Sequence, residues 1–279
     1  METRLSSATS EIVISDKGPT VLIGERINPT GKRKMREELK TGDMGIIRKE
    51  ALVQVQAGAD VLDVNIGGDG LDEVNILPRA VEEIMNAVEV PLCFDCTNPR
   101  ALEAALRIYR GKPLISSVTG DDRSLEEILP LVKEYKTVVI GLTMEDGRIS
   151  NDSDERVIIA HKIVERAVAL GIPIEDIIID CLAQTVGVND SAGLITIQTI
   201  RKIKDTLGVN MTLGASNISF GLPNRNLLNS AFLAIAITAG VTIPIVDIQV
   251  RQMVTGIDLV LGRDNEAMRY IEAYRQNLS

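Results

Sequence analysis

The chain has 279 residues, with 30 lysines and arginines against 39 aspartates and glutamates, and the net charge of −9 argues against nucleic acid or anionic membrane surfaces as partners. Hydrophobic residues make up 45 % and charged residues 25 %, a composition that excludes disorder, while 3 % aromatics and no tryptophan leave Ile, Val, Leu and Ala to build the core. The single histidine, His161, excludes zinc or iron sites needing several imidazoles, and three cysteines offer no disulfide framework, which places the chain in a reducing cytoplasm.

Residues 1–18 carry Glu2, Arg4 and Glu11 among small polar residues, have no apolar targeting core, and read as an N-terminal extension. From there, short β-branched runs alternate eight times with helical patterns. The predicted strands are 20–24, 60–65, 91–95, 113–117, 137–143, 176–181, 210–216 and 241–247. The predicted helices are 43–57, 73–88, 98–109, 125–135, 152–170, 192–207 and 224–239, with a last helical segment from 251 onward. Val138-Val139-Ile140 and Ile177-Ile178-Ile179 are continuous apolar runs, as expected of parallel strands buried on both faces. Gly58, Gly171, Gly208 and Gly240 follow helices, and Asn98-Pro99 supplies an N-cap with proline at the first helical position. The apolar stretch 231–246 is broken by Gly240 and Pro244 and is shorter than the ~18 residues of a membrane span, so it reads as a buried helix passing into a buried strand. Eight units of about 35 residues predict an α/β fold, a (β/α)₈ TIM barrel in one domain over 1–279, with an open doubly wound sheet as the alternative.

In such a barrel the chemistry lies beyond the C-terminal ends of the strands. There the chain has Glu25-Arg26-Ile27-Asn28, Asp63-Val64-Asn65, Asp95-Cys96-Thr97-Asn98, Ser116-Ser117, Asp180, Gly214-Ala215-Ser216-Asn217 with Arg225, and Asp247. One aspartate at a strand end is as often the N-cap of the next helix. Three carboxylates (Asp63, Asp95, Asp180) and three amides (Asn65, Asn98, Asn217) on one mouth are harder to assign to caps. Buried carboxylates need donors, and a flat heterocycle with ring N–H and NH₂ groups supplies them in bidentate fashion.

The runs Val21-Leu22-Ile23-Gly24-Glu25-Arg26-Ile27-Asn28, Leu62-Asp63-Val64-Asn65, Cys93-Phe94-Asp95-Cys96-Thr97-Asn98, Ile140-Gly141-Leu142-Thr143-Met144, Ile178-Ile179-Asp180 and Leu213-Gly214-Ala215-Ser216-Asn217-Ile218-Ser219, with Asn224-Arg225, stand in the order found in pterin-binding methyltransferases. Over residues 20–270 the chain resembles a methyltetrahydrofolate:corrinoid-protein methyltransferase, related to the folate domain of cobalamin-dependent methionine synthase. The resemblance implies that Asp95 and Asp180 hold the pterin ring and that Asn217 reaches N5, the atom carrying the methyl group. It implies that Gly214 and Ser216 line the pocket beside Arg225, and that Glu25, Asp63 and Asn65 support the mouth. Where that family often offers an Asn from the fourth strand, this chain has Ser116, whose shorter hydroxyl implies a bridging water or a less direct hold.

The implied reaction moves a methyl group between N5 of (methyl)tetrahydrofolate and the cobalt of cobalamin or another corrinoid. Its direction is left open between carbon fixation and demethylation of methoxy or methylamine compounds. Asn217 is the expected hydrogen-bonding group at N5, with Asp180 as a partner in proton transfer. His161 lies within a helical pattern and not in an Asp-x-His-x-x-Gly loop, so the corrinoid is expected on a separate protein, with no metal on this chain. The resemblance also implies a homodimer. The alternatives weighed are a dihydropteroate synthase-like pterin enzyme, whose Asn-x-Thr-x-Asp-Ser loop is not found here, and a non-catalytic folate-binding or docking subunit. Cys93-x-x-Cys96 reads as two buried small residues, because strand positions three apart face opposite sides. Gly67-Gly68-Asp69-Gly70 lacks the spacing of a phosphate loop and reads as backbone approaching the ligand. Gly214-Ala215-Ser216 is no nucleophile elbow, with Ile218 in place of the second glycine. Lys32-Arg33-Lys34 reads as a solvated loop able to attract a folate glutamate tail.

Overall fold

The computed structural model describes residues 1–276. The chain opens with a hairpin of β1 (Glu2–Ser6) and β2 (Glu11–Ser15), followed by β3 (Ile23–Ile27), α1 (Arg33–Thr41), α2 (Gly45–Gln56), β4 (Val61–Asn65), α3 (Glu73–Met85), β5 (Leu92–Asp95) and α4 (Pro99–Ile108). Next come β6 (Leu114–Val118), α5 (Asp122–Tyr135), β7 (Val138–Leu142), the small hairpin β8 (Met144–Glu145) and β9 (Arg148–Ile149), and α6 (Ser153–Ala169). The chain continues through β10 (Ile177–Asp180), α7 (Ala192–Thr206), β11 (Asn210–Thr212), α8 (Arg225–Ala239), β12 (Ile245–Val246), α9 (Arg251–Val260) and α10 (Met268–Gln276).

Eight strands form one parallel sheet in the order β11-β10-β7-β6-β5-β4-β3-β12. Its two ends meet. Gly214 bridges Ile245, the amides of Thr242 and Ile243 donate to the Met211 carbonyl, and Ile245 N–H donates to Leu213. The closed (β/α)₈ barrel is therefore the architecture, and the open sheet is not. The eighth strand is shorter than the predicted 241–247 because Pro244 has no N–H to give, although Thr242 and Ile243 bond across the seam.

Alternation along the strands separates two apolar layers. Leu22, Leu62, Val64, Phe94, Ile115, Val139, Ile177 and Ile179 face outward into the helix layer. Ile23, Val61, Cys93, Leu114, Val138, Ile140 and Ile178 fill the barrel interior. Two residues further along five of the strands the inward stripe turns polar, Ile23 leading to Glu25, Val61 to Asp63, Cys93 to Asp95, Leu114 to Ser116 and Ile178 to Asp180, whereas on β7 it stays apolar from Val138 through Ile140 to Leu142. Cys93 and Cys96 belong to different layers, as the spacing predicts.

The N-terminal end of the barrel is closed by the β1–β2 hairpin. Leu5 and Ile14 are fully buried in the interior cluster, the Thr3 hydroxyl donates to the Glu175 carbonyl, and the Asn210 amide donates to Thr3 Oγ1 and the Ile14 carbonyl. Residues 1–18 are thus a plug and not a bare extension. Helix α1 replaces the expected loop at Arg33 and Lys34. Its buried Met35 and Leu39 are four apart, and Arg33–Glu37 and Lys34–Glu38 pairs lie along the exposed side, so an amphipathic signal was present in the sequence. The punctuation reads as expected elsewhere: Asn98 accepts from Arg100 N–H at the start of α4, and the four post-helix glycines have positive φ. No helix among the described residues is long and apolar enough to cross a membrane.

Candidate active site

A cavity of about 540 Å³ at the C-terminal mouth is lined by Glu25, Asp63, Asp95, Ser116, Asp180, Gly214, Asn217 and Arg225, together with Arg26, Asn28, Thr30, Lys32 and Ile245. Eight of the ten expected site residues line it. The remaining two, Asn65 and Ser216, stand behind it and hold its walls. A groove of about 610 Å³ at the opposite end, between the hairpin, α3 and α4, contains none of these buried acids.

Local backbone features aim the acids. In β3 the register shifts between Gly24 and Ile27, and such a bulge redirects the side chain it carries, here Glu25. Gly24 must lack a side chain: a Cβ there would meet Gln54 Oε1, which accepts the Arg26 N–H at 2.9 Å. The Ser216 hydroxyl donates to Glu25 Oε1 at 2.9 Å, and Arg225 donates to the Ser216 carbonyl and to Ser219 Oγ, joining the loop after β11 to the start of α8. Gly214 leaves room for the amide of Asn217, whose Nδ2 would lie 2.9 Å from an added Cβ. Asn65 donates to Asp95 Oδ2 at 2.6 Å while its own carbonyl accepts Gly67 N–H, so it orients Asp95 and ties down the glycine loop.

The acids are poorly compensated. Burial is the first cause of raised pKa values at Glu25, Asp63, Asp95 and Asp180. Asp180 is pushed up to about 7, against the opposing effects of the Leu182 N–H and the Arg156 charge. Asp63 is raised well above the usual range by burial and by the neighbouring Asp95 carboxylate, and its only side-chain relief is a hydrogen bond from the Cys93 thiol. Its Oδ1 is buried with no partner. The nearby cations are engaged elsewhere: Arg26 faces Glu50 and Asp247, and Lys32 donates to the Arg26 carbonyl. The cavity is therefore rich in acceptors and short of donors, a pattern that selects a ligand carrying N–H groups.

One group went unnoticed in the sequence. Arg156, on α6, is fully buried and donates from Nε to the Ser150 carbonyl, from Nη1 to the Cys181 and Leu182 carbonyls, and from Nη2 to Gln184 Oε1. No motif or spacing pointed to it. Leu182 has φ 51°, a left-handed conformation that costs a branched residue ~1–2 kcal/mol, and its N–H donates to Asp180 Oδ1 at 2.7 Å. His161 sits on α6 with Nε2 against Thr206 Oγ1, away from the mouth, as its helical setting implied.

The family described as pterin binding enzyme matches residues 24–247. The chain is 30 % identical over 267 residues to the methylcorrinoid:tetrahydrofolate methyltransferase of Eubacterium limosum, covering 92 % of this chain and 96 % of that protein. It is 29 % identical to the methionine synthase of Mycobacterium leprae over 95 % of its own length but only 24 % of that longer protein. Among solved structures, the dihydropteroate synthase of Xanthomonas albilineans superposes with a TM-score of 0.66 at 17 % identity, covering 95 % of this chain and 100 % of that one, a likeness of fold.

Proposed function

The chain belongs to the pterin-binding enzyme family, and from that premise we propose that it is a methyltransferase moving a methyl group between N5 of tetrahydrofolate and the cobalt of a corrinoid held by a partner protein. The observation that carries this reading is the donor-poor cavity with the orphaned Asp63 oxygen and the raised Asp95 and Asp180. The ring N–H and amino group of a pterin supply what those carboxylates lack. The 30 % identity to a methylcorrinoid:tetrahydrofolate methyltransferase along nearly its whole length supports the same reaction class over the dihydropteroate synthase alternative.

In this reading Asp95, oriented by Asn65, and Asp180, anchored by Leu182 N–H, take the pterin edge. Ser116 borders it, and Asp63 closes the floor. Asn217, folded over Gly214, reaches N5. A neutral tertiary amine is a poor leaving group because the C–N electron pair stays on N5 as the methyl departs. A hydrogen bond donated to N5 by the Asn217 amide strengthens as that charge builds and is worth ~3–4 kcal/mol, and a proton from solvent takes the methyl's place on N5. Glu25, Ser216 and Arg225 hold the rim in shape. The lone imidazole, His161, bonds Thr206 on the helix layer, and in this reading a partner protein holds the corrinoid.

The test mixes the purified chain with methyltetrahydrofolate and chemically reduced cob(I)alamin, and in a second reaction with tetrahydrofolate and methylcobalamin. Gain or loss of the methylcobalamin spectrum in either direction is the expected result. Tight folate binding with no transfer in either direction overturns the enzymatic reading in favour of a folate-binding subunit.

A further inference from the structure

Arg156 is the bulkiest fully buried side chain of the described residues, yet its hydrogen bonds go to neutral oxygens and not to a carboxylate. A buried guanidinium is costly, and a purely structural one is normally neutralised by a partner acid. Three of its four bonds fall on residues 181–184, the segment leaving β10, at 2.8–3.0 Å. Thr196 Oγ1 adds a bond to the same Leu182 carbonyl. That segment passes through the left-handed Leu182, and this turn points the Leu182 N–H back at Asp180 Oδ1.

The surroundings of Asp180 make the charge itself matter. On its own strand it has Cys181 and the Leu182 N–H. Thr143 just after β7 bonds its carbonyl, Thr212 of β11 is its register partner, and Glu25, Arg26, Lys32, Asp63, Asp95 and Arg225 share the cavity. The positive charge that opposes burial at Asp180 is that of Arg156, reaching it from behind the cavity wall.

We propose that Arg156 is a positioning residue for Asp180: it clamps residues 181–184 in the shape that anchors the carboxylate and supplies its counter-charge from outside the ligand cavity. The consequence for folate binding rests on the function proposed above; the clamp itself does not.

The test uses the full chain labelled with [¹³C]aspartate, the Asp180 carboxyl resonance being assigned by its loss in Asp180→Asn. Three quantities are measured in wild type, Arg156→Gln and Arg156→Lys: the Asp180 titration midpoint, the exchange rate of the Leu182 amide, and the dissociation constant for methyltetrahydrofolate. Arg156→Gln is expected to raise the midpoint by about one pH unit or more, to speed Leu182 exchange and to weaken folate binding. Arg156→Lys returns the charge but not the four-armed geometry, so the midpoint moves back toward wild type while Leu182 exchange stays fast. Should Arg156→Gln not fold, the fast exchange with near-normal midpoint in Arg156→Lys carries the proposal. Folded variants with wild-type titration and exchange overturn it, whatever their thermal stability. A wild-type chain that binds no folate, with the midpoint and exchange moving as stated, refutes the proposed function and leaves the positioning role standing.

Discussion

Replacing Asp180 by Asn keeps the shape and the acceptor for Leu182 N–H but removes the ionisable group. In the folded chain the Asp180 carboxyl is raised from 3.8 to about 7 by burial, which at ~1.4 kcal/mol per pH unit amounts to about 4 kcal/mol. The sign follows from linkage. The folded state binds this proton more tightly than the unfolded state, so stability is lost as pH rises from 3.8 towards about 7, and the loss is complete above that. Asp180→Asn carries no such burden. Near pH 4 the two proteins should differ little, and by pH 8.5 the variant should be more stable by as much as about 4 kcal/mol, a figure already net of the Arg156 charge that opposes burial. Urea unfolding at half-unit steps from pH 4 to 8.5 measures both curves. Their difference isolates Asp180, because Asp63, Asp95 and Glu25 titrate in both proteins. A difference that does not change with pH, or one that favours wild type increasingly at high pH, refutes the view that the apo cavity holds Asp180 against its ionisation.

Asn217→Ala should lower methyl transfer by roughly 10²–10³ while folate still binds, in line with the loss of one oriented donor. Gly214→Ala should reproduce most of that loss in stopped-flow transfer assays with its fold intact, because the added Cβ falls 2.9 Å from Asn217 Nδ2 and pushes the amide aside. Asn65→Leu removes the 2.6 Å bond that lowers the Asp95 pKa; titration calorimetry should show folate binding weakened by roughly tenfold or more, as expected for a hydrogen bond to a charged group. Folate binding itself should release protons near pH 6, where Asp180 is protonated until the ligand's N–H groups require it ionised, and affinity should fall as pH drops below about 7. Calorimetry in buffers of different ionisation enthalpy reads this directly, and proton uptake is the contrary result. Leu5→Ala, at the fully buried tip of the barrel plug, should cost ~2–5 kcal/mol in urea unfolding without changing transfer in the folded enzyme.

The eight strands and their helices were legible because a parallel strand covered on both sides writes itself as an uninterrupted β-branched run. Ile177-Ile178-Ile179 needs no knowledge of its neighbours. The strand-end acids were legible for a related reason: period-two alternation carries Val61 to Asp63 and Ile178 to Asp180 on the same inward stripe. The β1–β2 hairpin left a fainter trace, since Leu5 stands alone among polar residues and Ile14 ends a run of only three apolar ones, and both become core only by entering a barrel whose walls lie up to about two hundred residues away in the chain.

Composition and pattern thus determined the barrel and its acid-lined mouth. Tertiary structure alone decided which groups meet there without a partner. Asp63 Oδ1 is left without a partner although the Cys93 thiol of the neighbouring strand reaches the same carboxyl, and Asn65 serves Asp95 because the neighbouring strands pair those two residues in register. Arg156 shows the difference most clearly: on its helix it reads as one more charge, and only closure of the barrel brings it beneath the segment that follows Asp180. Secondary structure follows from short-range pattern, whereas burial of a charge and the oxygens that satisfy it depend on residues brought together by the whole fold.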